Sequence, residues 1–287
     1  MDISMATDST ITTLETEMSE VFDSPTPFTA FKQQFSEYTT LILGHRGGYF
    51  GPENSMKGFK GALENNLEGI EFDVWLSKDE VPMIVHGGSD GELSLYGLSE
   101  ERVFDWTCEQ LKTLDIGENE VMPTLEELLT LYEGANMLLN IELKGPLSPE
   151  WKARYDYKRT CQLVHNMVVK FKTQKNVMFS SFCPEIVEGL LAVRGEESYV
   201  INSLKNRGYK PDTYDLMAGI HGLNIAERHL SYDVVKQVKS QEGTLGVWYG
   251  KSACDENQDL YDRIFSHGVD YFFSDSPLEA MKARTKA

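Results

Sequence analysis

Residues 69–74 read Gly-Ile-Glu-Phe-Asp-Val, a short apolar stretch that carries two carboxylates. Because side chains alternate between the two faces of a strand, Glu71 and Asp73 would share one face while Phe72 points to the other. The apolar neighbours favour burial, and two buried like charges repel each other unless a cation holds them. The pattern is typical of a parallel strand covered on both faces. The structural alternative is a solvated strand end with two ordinary surface acids.

Short apolar segments of this kind recur along the chain and give eight strand candidates. They are Leu41–His45, Gly69–Val74, Met137–Leu143, Asn176–Ser181, Tyr199–Leu204, Met217–Ile225, Thr244–Trp248 and Val269–Ser274. A further apolar stretch, Val81–His86, follows residues 69–74 so closely that we predict a local hairpin with them.

The segments between the strand candidates have helical patterns. Thr124 and Glu127 form a capping box before an apolar run, and a helix from Met56 would be capped by Asn54 or Ser55. Strands alternating with helical segments predict the α/β class, and eight such strands favour a closed (β/α)8 TIM-type barrel. A doubly wound open sheet is the alternative, but no GxGxxG or GxxxxGK[ST] motif follows any strand candidate.

The chain length fits one such barrel with a short addition. A (β/α)8 barrel takes about 250 residues, and the chain has 287. We therefore expect a single barrel domain over residues 39–287, preceded by an acidic, Ser/Thr-rich extension over residues 1–38.

The charge balance limits the possible partners. Lys+Arg 27 against Asp+Glu 45 gives a formal net charge of −18, which repels nucleic acids and anionic membrane surfaces. A small anionic substrate is still compatible, because a bound divalent cation reverses the local sign of charge. No apolar run is long enough for stable membrane insertion, and no basic segment precedes an apolar core as in a secretory signal. We expect a cytoplasmic protein that binds a small molecule and no nucleic acid, and the sequence leaves its oligomeric state open.

Unusual clusters of charged residues and histidines stand at the ends of four strand candidates. They comprise Gly44-His45-Arg46-Gly47-Gly48 with the nearby Glu53, then Glu71 and Asp73, then His86, and finally Glu142 and Lys144. In a (β/α)8 barrel the carboxyl ends of all strands meet on one face, where active sites are built. These clusters are therefore predicted to converge.

The residue types in these clusters suit phosphate chemistry. The Arg46 guanidinium offers a planar fork to phosphate oxygens, and His45 can transfer protons near neutral pH. A third carboxylate, Glu142, completes an oxygen-rich site suited to Mg²⁺ or Ca²⁺, and Lys144 can pair with a phosphate. Taken singly, the clusters have structural alternatives: a turn with an exposed histidine, a core histidine at a strand end, or a buried Glu–Lys ion pair. All of these clusters together are hard to explain structurally, because uncompensated buried charge lowers the stability of a fold.

In order and spacing these residues resemble the glycerophosphodiester phosphodiesterase family. The resemblance rests on His45-Arg46-Gly47 and Glu53-Asn54, then Glu71-Phe72-Asp73, His86, and Ile141-Glu142-Leu143-Lys144. Met122–Leu129 resembles the family's helix entry before the Ile141–Lys144 strand, and its later strands are resembled by Ser180-Ser181-Phe182, Trp248 and the stretch from Gly268 to Pro277. The resemblance covers roughly residues 40–280.

The resemblance implies a fold, a reaction and a set of roles. The fold would be a (β/α)8 barrel, and the reaction would be metal-dependent hydrolysis of glycerophosphodiesters to sn-glycerol 3-phosphate and an alcohol. One divalent cation, Mg²⁺ or Ca²⁺ with Mn²⁺ also possible, would bind to three acids, and two histidines would be the acid/base pair. The implied metal ligands are Glu71, Asp73 and Glu142; the catalytic pair is His45 and His86; Arg46 and Lys144 would hold phosphate oxygens, Glu53 would support the site and Trp248 would line its rim.

Three departures from the family pattern bear on substrate choice. Gly87 follows His86 where the family commonly has Asp, Ser55 stands where Thr is usual, and Trp248-Tyr249-Gly250 replaces Trp-Thr-Val-Asn. Two other functions stay open: a lysophospholipase D-like phosphodiesterase and a catalytically inactive barrel that binds a phosphorylated ligand. The former needs an apolar channel, for which the candidates are Tyr49, Phe50, Trp75 and Phe182. Of the remaining histidines, His221 is the one candidate for approaching the same rim.

Overall fold

A closed barrel of parallel strands organises the chain in the computed structural model, which describes residues 33, 37–195, 199–204, 214–249 and 255–284. The strands of these residues are β1 (Leu41–Gly44), β2 (Gly69–Leu76), β3 (Pro82–Ile84), β4 (Glu92–Leu93), β5 (Leu98–Arg102), β6 (Leu138–Leu143), β7 (Val177–Ser181), β8 (Val200–Leu204), β9 (Gly222–Ala226), β10 (Thr244–Trp248) and β11 (Tyr271–Ser274). Eight of them pair in parallel in the order β1-β2-β6-β7-β8-β9-β10-β11, and β11 pairs with β1 to close the ring. The predicted (β/α)8 barrel is confirmed.

Helices follow most barrel strands and cover the outside of the ring. Those in the described residues are α1 (Met56–Glu64), α2 (Cys108–Leu111), α3 (Leu125–Leu131), α4 (Pro149–Lys152), α5 (Tyr157–Lys170), α6 (Pro184–Arg194), α7 (Tyr232–Lys239), α8 (Gln258–Ser266) and α9 (Pro277–Ala283). Ser55 caps α1 by accepting the N–H of Gly58, and Thr124 and Glu127 form the predicted capping box on α3. Among the described residues, every helix is too short or too polar to span a lipid bilayer.

Apolar side chains fill both the inside of the ring and the layer under the helices. The inner cluster contains Leu41, Leu43, Leu138, Met178, Val200, Tyr271 and Phe273, all of them buried. Packed interiors of this kind are the rule in such barrels, so the inside of the ring is a core and not a pore. The open space lies above it, at the carboxyl ends of the strands.

An insertion between β2 and β6 departs from the simple strand–helix alternation. The strand β3 runs antiparallel to β2, pairing Val74 with Ile84, which confirms the predicted hairpin. The antiparallel pair of β4 and β5 that follows was not predicted, because Leu98–Arg102 is rich in charged residues and has no strand-like alternation.

Two sequence expectations need correction or restriction. The strand predicted over Met217–Ile225 begins only at Gly222, because the preceding residues form a turn in which Ile220 donates its N–H to the carbonyl of Met217. His221 therefore lies at the amino end of β9, where its Nδ1 accepts the N–H of Ile201 at 3.1 Å, and not at the opposite rim. The predicted extension, residues 1–38, lies outside the described residues except for Gln33, Glu37 and Tyr38.

Candidate active site

The predicted clusters converge on one cavity at the carboxyl ends of the barrel strands. Its volume is about 960 Å³. The residues of the predicted site that line it are His45, Arg46, Glu53, Glu71, His86, Glu142, Lys144 and Trp248. Asp73 is 1% exposed and lies directly behind this lining, in contact with Lys144. The structure thus brings all nine predicted residues to one site.

Three carboxylates form the most acidic part of the cavity wall. Glu71 and Asp73 project from the same face of β2, and Glu142 stands beside Asp73 on the neighbouring strand β6. One oxygen from each of the three lies within 4.8 Å of the others. The Glu71 Oε1 atom is buried and has no hydrogen-bond partner among the described residues. A group of three carboxylates with an unpartnered oxygen has the donor set that a hard divalent cation needs.

Burial raises the pKa of two of these acids, whereas neighbouring cations lower the pKa of the third. Burial, together with the neighbouring Asp73, raises the pKa of Glu71 to about 8. Burial also raises the pKa of Glu142. Burial alone would raise the pKa of Asp73 as well, but the positive charges of Lys144, His86 and Arg46 outweigh it and lower that pKa. The protein's own cations thus favour the ionised form of Asp73.

Two cationic side chains flank the carboxylates. Lys144 Nζ lies 2.9 Å from Asp73 Oδ1 and also pairs with Glu142. Arg46 Nε lies 3.5 Å from Asp73 Oδ2, and its Nη1 donates to Glu53 Oε2 at 2.6 Å. Both cations line the cavity and are held there by these carboxylates.

The loop after β1 brings its backbone as well as its side chains to the site. His45–Gly47 forms one 3₁₀ turn in which Arg46 has a left-handed backbone with φ 50°, an uncommon conformation for a residue with a side chain. The Arg46 N–H donates to Glu71 Oε2 at 3.1 Å. Gly47 has φ 92°, and a Cβ there would lie 3.0 Å from the Phe59 ring, so the turn needs glycine at this position.

Asn54 holds the buried carboxylate of β2 in place. Its Nδ2 donates to Asp73 Oδ2 at 2.9 Å, and its Oδ1 accepts the Asp73 N–H at 3.3 Å. The sequence marked Asn54 as a possible helix cap and as part of the family resemblance, without a role at the site. The structure gives the capping role to Ser55 and uses Asn54 to orient the acid instead.

His45 is oriented by a residue that the sequence prediction missed. Its Nδ1 donates to Asp275 Oδ1 at 2.6 Å, while its Nε2 lies 3.8 Å from Glu71 Oε2 and faces the cavity. Burial would lower the pKa of His45, but the hydrogen bond to Asp275 and the charge of Glu71 outweigh it and raise that pKa. Asp275 is held in turn by Glu256, whose Oε1 accepts its N–H at 2.8 Å. The available signal was the Ser-Asp-Ser-Pro stretch that begins at Ser274, the last residue of β11.

His86 follows the β2–β3 hairpin and lines the same cavity. It is half-buried, and its carbonyl accepts the indole N–H of Trp75 at 3.0 Å. The next residue, Gly87, has φ 61°, and a Cβ there would lie 3.0 Å from that same indole nitrogen. At Gly87, where the chain departs from the family pattern, the positive φ and the nearby Trp75 ring both disfavour a side chain.

Aromatic residues form the remaining walls of the cavity. Tyr49, Phe50 and Phe182 line it together with Trp248, whose ring packs edge-on against Phe182. Trp75, the fourth aromatic candidate for an apolar channel, packs in a separate buried cluster beneath the insertion. Arg228 also lines the cavity and was not predicted, because no motif surrounds it. Gly250, part of the third departure from the family pattern, lies outside the described residues.

The fold and the site together define a class: a (β/α)8-barrel enzyme whose acidic, cation-flanked pocket suits a phosphate ester. A model of the glycerophosphoryl diester phosphodiesterase family matches residues 45–279. The chain belongs to this family, which confirms both the predicted family and its enzyme class, the phosphoric diester hydrolases.

Known relatives agree with this assignment. A glycerophosphodiester phosphodiesterase of Bacillus altitudinis is 26% identical over 274 residues, which cover 85% of this chain and 98% of that protein. Glycerophosphodiester phosphodiesterase 1 of Mus musculus is 27% identical over 176 residues, and here the match covers 58% of this chain but only 48% of the mouse protein.

Solved structures share the barrel. The crystal structure of a glycerophosphodiester phosphodiesterase from Parabacteroides distasonis superimposes with a TM-score of 0.69 at 25% identity, covering 86% of this chain and 97% of that one. An Oleispira antarctica phosphodiesterase, solved in complex with the product sn-glycerol-3-phosphate, gives a TM-score of 0.69 at 22% identity over 85% of this chain and 96% of the other.

Proposed function

We propose that this chain hydrolyses glycerophosphodiesters to sn-glycerol 3-phosphate and an alcohol, with one divalent cation at the three carboxylates. The main support for the proposal is that these carboxylates lie together with two histidines and two cationic side chains at one cavity. The solved Oleispira antarctica relative holds sn-glycerol-3-phosphate, the product proposed here. The net charge of −18 argues against a nucleic-acid substrate and favours a small molecule.

Glu71, Asp73 and Glu142 would hold the cation. The fit is supported by the buried Glu71 oxygen that has no hydrogen-bond partner among the described residues. Burial also raises the pKa of Glu71 and of Glu142, and a bound cation would favour the ionised form of both carboxylates. All three ligands are hard oxygen donors, which favours Mg²⁺ or Ca²⁺ and allows Mn²⁺. When bound, the cation would polarise a phosphoryl oxygen as a Lewis acid.

His45 and His86 would move the protons. Water adds to phosphorus as one imidazole takes its proton, and the bond from phosphorus to the alcohol oxygen breaks as the other imidazole donates a proton to that oxygen. Asp275 fixes the ring of His45 so that Nε2 faces the cavity. The two histidines enter from different elements, the turn after β1 and the end of the β2–β3 hairpin, so they can act on opposite sides of a bound phosphate.

Arg46 and Lys144 would bind the phosphate oxygens and stabilise the charge that grows on them in the transition state. Glu53 accepts a hydrogen bond from the Arg46 guanidinium and so sets its direction. Trp248 would form the wall against which one arm of the diester rests.

The test is release of sn-glycerol 3-phosphate, measured with a coupled dehydrogenase on purified full-length protein. Glycerophosphocholine, glycerophosphoethanolamine, glycerophosphoserine and glycerophosphoinositol serve as substrates, with Mg²⁺, Ca²⁺ or Mn²⁺ and with a chelator. We expect turnover that needs the metal and that falls by about 10²–10⁴-fold in His45→Ala. The exposed Glu126→Gln should leave turnover unchanged, whereas Glu71→Gln should abolish its response to metal.

Release of choline separates the competing functions, because cleavage of lysophosphatidylcholine at the choline side gives lysophosphatidic acid and not sn-glycerol 3-phosphate. Turnover of lysophosphatidylcholine in place of glycerophosphocholine would indicate the lysophospholipase D-like alternative, which the aromatic residues Tyr49, Phe50 and Phe182 on the cavity wall support. No turnover of any diester with any of the three metals would contradict the proposal and leave the binding-only barrel.

A further inference from the structure

The cavity is divided into two halves of different charge. In the ring order, β9 lies four strands from β2 and β10 lies four strands from β6, so these strands face each other across the barrel. The carboxylates of the site stand on the β2 and β6 side. Lining residues contributed by β7 to β10 and the loops directly after them are Ser180, Phe182, Leu204, Asn224, Arg228, Trp248 and Tyr249. Within the described part of the chain, Arg228 is the one charged side chain of this far wall.

Arg228 stands on a fixed turn. It is the middle residue of the 3₁₀ turn Glu227–His229, which directly follows β9. Arg263 on α8 donates from Nη2 to the carbonyl oxygens of Glu227 at 2.9 Å and Leu230 at 3.3 Å, and so holds the turn at both ends. The position of the Arg228 backbone is therefore defined, although its side chain is exposed.

Among the described residues, the guanidinium of Arg228 has an aromatic neighbour but no carboxylate partner. Its carbon lies 5.9 Å from the centroid of the Trp248 ring, within the range of a cation–π contact. None of the ion pairs between described residues involves it, whereas Arg46 and Lys144 across the cavity are both paired with carboxylates.

This arrangement bears on which alcohol the site accepts. An aromatic wall by itself would attract the ammonium group of choline or ethanolamine. Here a guanidinium already stands over Trp248 and would repel a second cation, while it would form charge-assisted hydrogen bonds with a carboxylate or phosphate. The phosphodiester itself is assigned to Arg46 and Lys144, and the glycerol arm carries no charge, so a second anion could come only from the alcohol arm.

We propose that Arg228 selects glycerophosphodiesters whose alcohol carries an anionic group, a carboxylate or a second phosphate. The inference rests on the proposed function and adds the substrate class to it. It also accounts for how a chain of net charge −18 could favour an anionic substrate, because Arg228 puts a positive charge on the far wall, the only one there among the described residues.

Two matched substrate pairs test the proposal on the metal-loaded full-length protein. Glycerophosphoserine differs from glycerophosphoethanolamine by one carboxylate, and glycerophosphoinositol 4-phosphate differs from glycerophosphoinositol by one phosphate. We expect kcat/KM to favour the anionic member of at least one pair by about three- to tenfold at low ionic strength, since Arg228 is exposed to solvent. The substrate pair that shows the preference identifies the anion, carboxylate or phosphate, that Arg228 binds. Added salt should weaken this preference.

Variants of Arg228 assign the preference to this residue. Arg228→Gln should bring the ratio within the responding pair close to one, and Arg228→Glu should invert it. Lys236→Gln on the outer helix α7 removes the same charge away from the cavity and should leave the ratio unchanged.

The outcomes distinguish a failure of the proposed function from a failure of the Arg228 proposal alone. If the wild-type protein turns over none of the four substrates, the proposed function fails and this inference fails with it. If it turns them over without preferring either anionic member, or if Arg228→Gln lowers all four equally, the inference alone is wrong, because Arg228 would then contact a part that every substrate shares.

Discussion

The contact between His45 and Asp275 determines how one proton-transfer group titrates. Asp275 accepts from His45 Nδ1 at 2.6 Å, and this bond is the largest of the effects that raise the pKa of His45 against the opposing effect of burial. A carboxylate in this position also fixes the tautomer, since Nδ1 keeps the proton and Nε2 is left to exchange one with the substrate. Replacing the carboxylate by an amide removes the charge but keeps the shape.

Asp275→Asn is therefore expected to lower the pKa of His45. If His45 removes a proton, activity rises with pH as the ring becomes neutral, and this acidic limb moves to lower pH. If His45 donates a proton, activity falls with pH as the ring becomes neutral, and this alkaline limb also moves to lower pH. The shift thus has the same sign for either role. It is measured as kcat/KM against pH at saturating metal, which reports the free enzyme.

Asp262→Asn on the exposed face of α8 is the matched control and should leave the profile in place. A pH profile of Asp275→Asn that overlays the wild-type profile would show that His45 does not limit the reaction, and the acid/base assignment would have to be revised.

The residues of the site that could be predicted share local motifs, and those that were missed do not. His45 and Arg46 are neighbours, and Glu71 and Asp73 alternate on one strand, so spacing alone marks them. Asp275 is 230 residues from His45, and the residues next to it in the sequence do not indicate which side chain it contacts. A contact of that kind follows from the closing of the ring, which brings β11 beside β1.

At the scale of elements, the strands were predictable because burial on both faces makes each of them a compact apolar run. Predicted and observed bounds of β6, β7 and β8 differ by one residue at the amino end and coincide at Leu143, Ser181 and Leu204. The prediction was wrong at β9, where apolar residues ahead of Gly222 belong to a turn that packs on the same core. Apolar composition cannot distinguish these two uses.

The seam between β1 and β2 depends on a buried ion pair. Only two residue pairs are in register between these strands. Glu68, just before β2, accepts from both terminal nitrogens of Arg284 at 2.6 and 2.8 Å and from the N–H of Ile42 at 2.7 Å. Arg284, which follows α9, also donates to the carbonyl of Thr40 at 2.6 Å. The pair thus joins the end of the described chain to both strands of the seam.

Arg284→Ala is expected to lower the free energy of unfolding by about 3–5 kcal/mol, because it leaves the carboxylate of Glu68 buried without its partner. The measurement is urea unfolding followed by circular dichroism. Glu68→Gln together with Arg284→Met should recover part of the loss, since no uncompensated charge then remains. Lys282→Ala, which breaks the exposed pair with Glu279, should cost about 0–1 kcal/mol. A loss in Arg284→Ala no larger than this control would show that the seam does not depend on the pair.

At the scale of the whole molecule, convergence of the clusters followed from the fold class once the strands were recognised. Every cluster was placed at the carboxyl end of a strand, and closing the ring puts all of these ends on one face. The insertion with β4 and β5 and the far wall with Arg228 were not predictable in this way. Loops determine the positions of both features, and the conformation of a loop depends on contacts with distant parts of the chain more than on its local sequence pattern.

The boundary of the barrel domain can be tested by comparing two shortened chains. The sequence places the boundary at residue 39, but the structure puts the guanidinium carbon of Arg284 3.6 Å from the centroid of the Tyr38 ring, so we propose that Tyr38 belongs to the barrel. A chain of residues 37–287 should keep the full-length free energy of unfolding, whereas a chain of residues 39–287 should lose about 0.5–2 kcal/mol, the range for a cation–π contact. Both should keep kcat/KM within about twofold, because Tyr38 packs at the amino ends of the strands and the cavity opens at the carboxyl ends. A large loss of kcat/KM in both shortened chains, with stability retained, would instead assign part of the active site to residues 1–36.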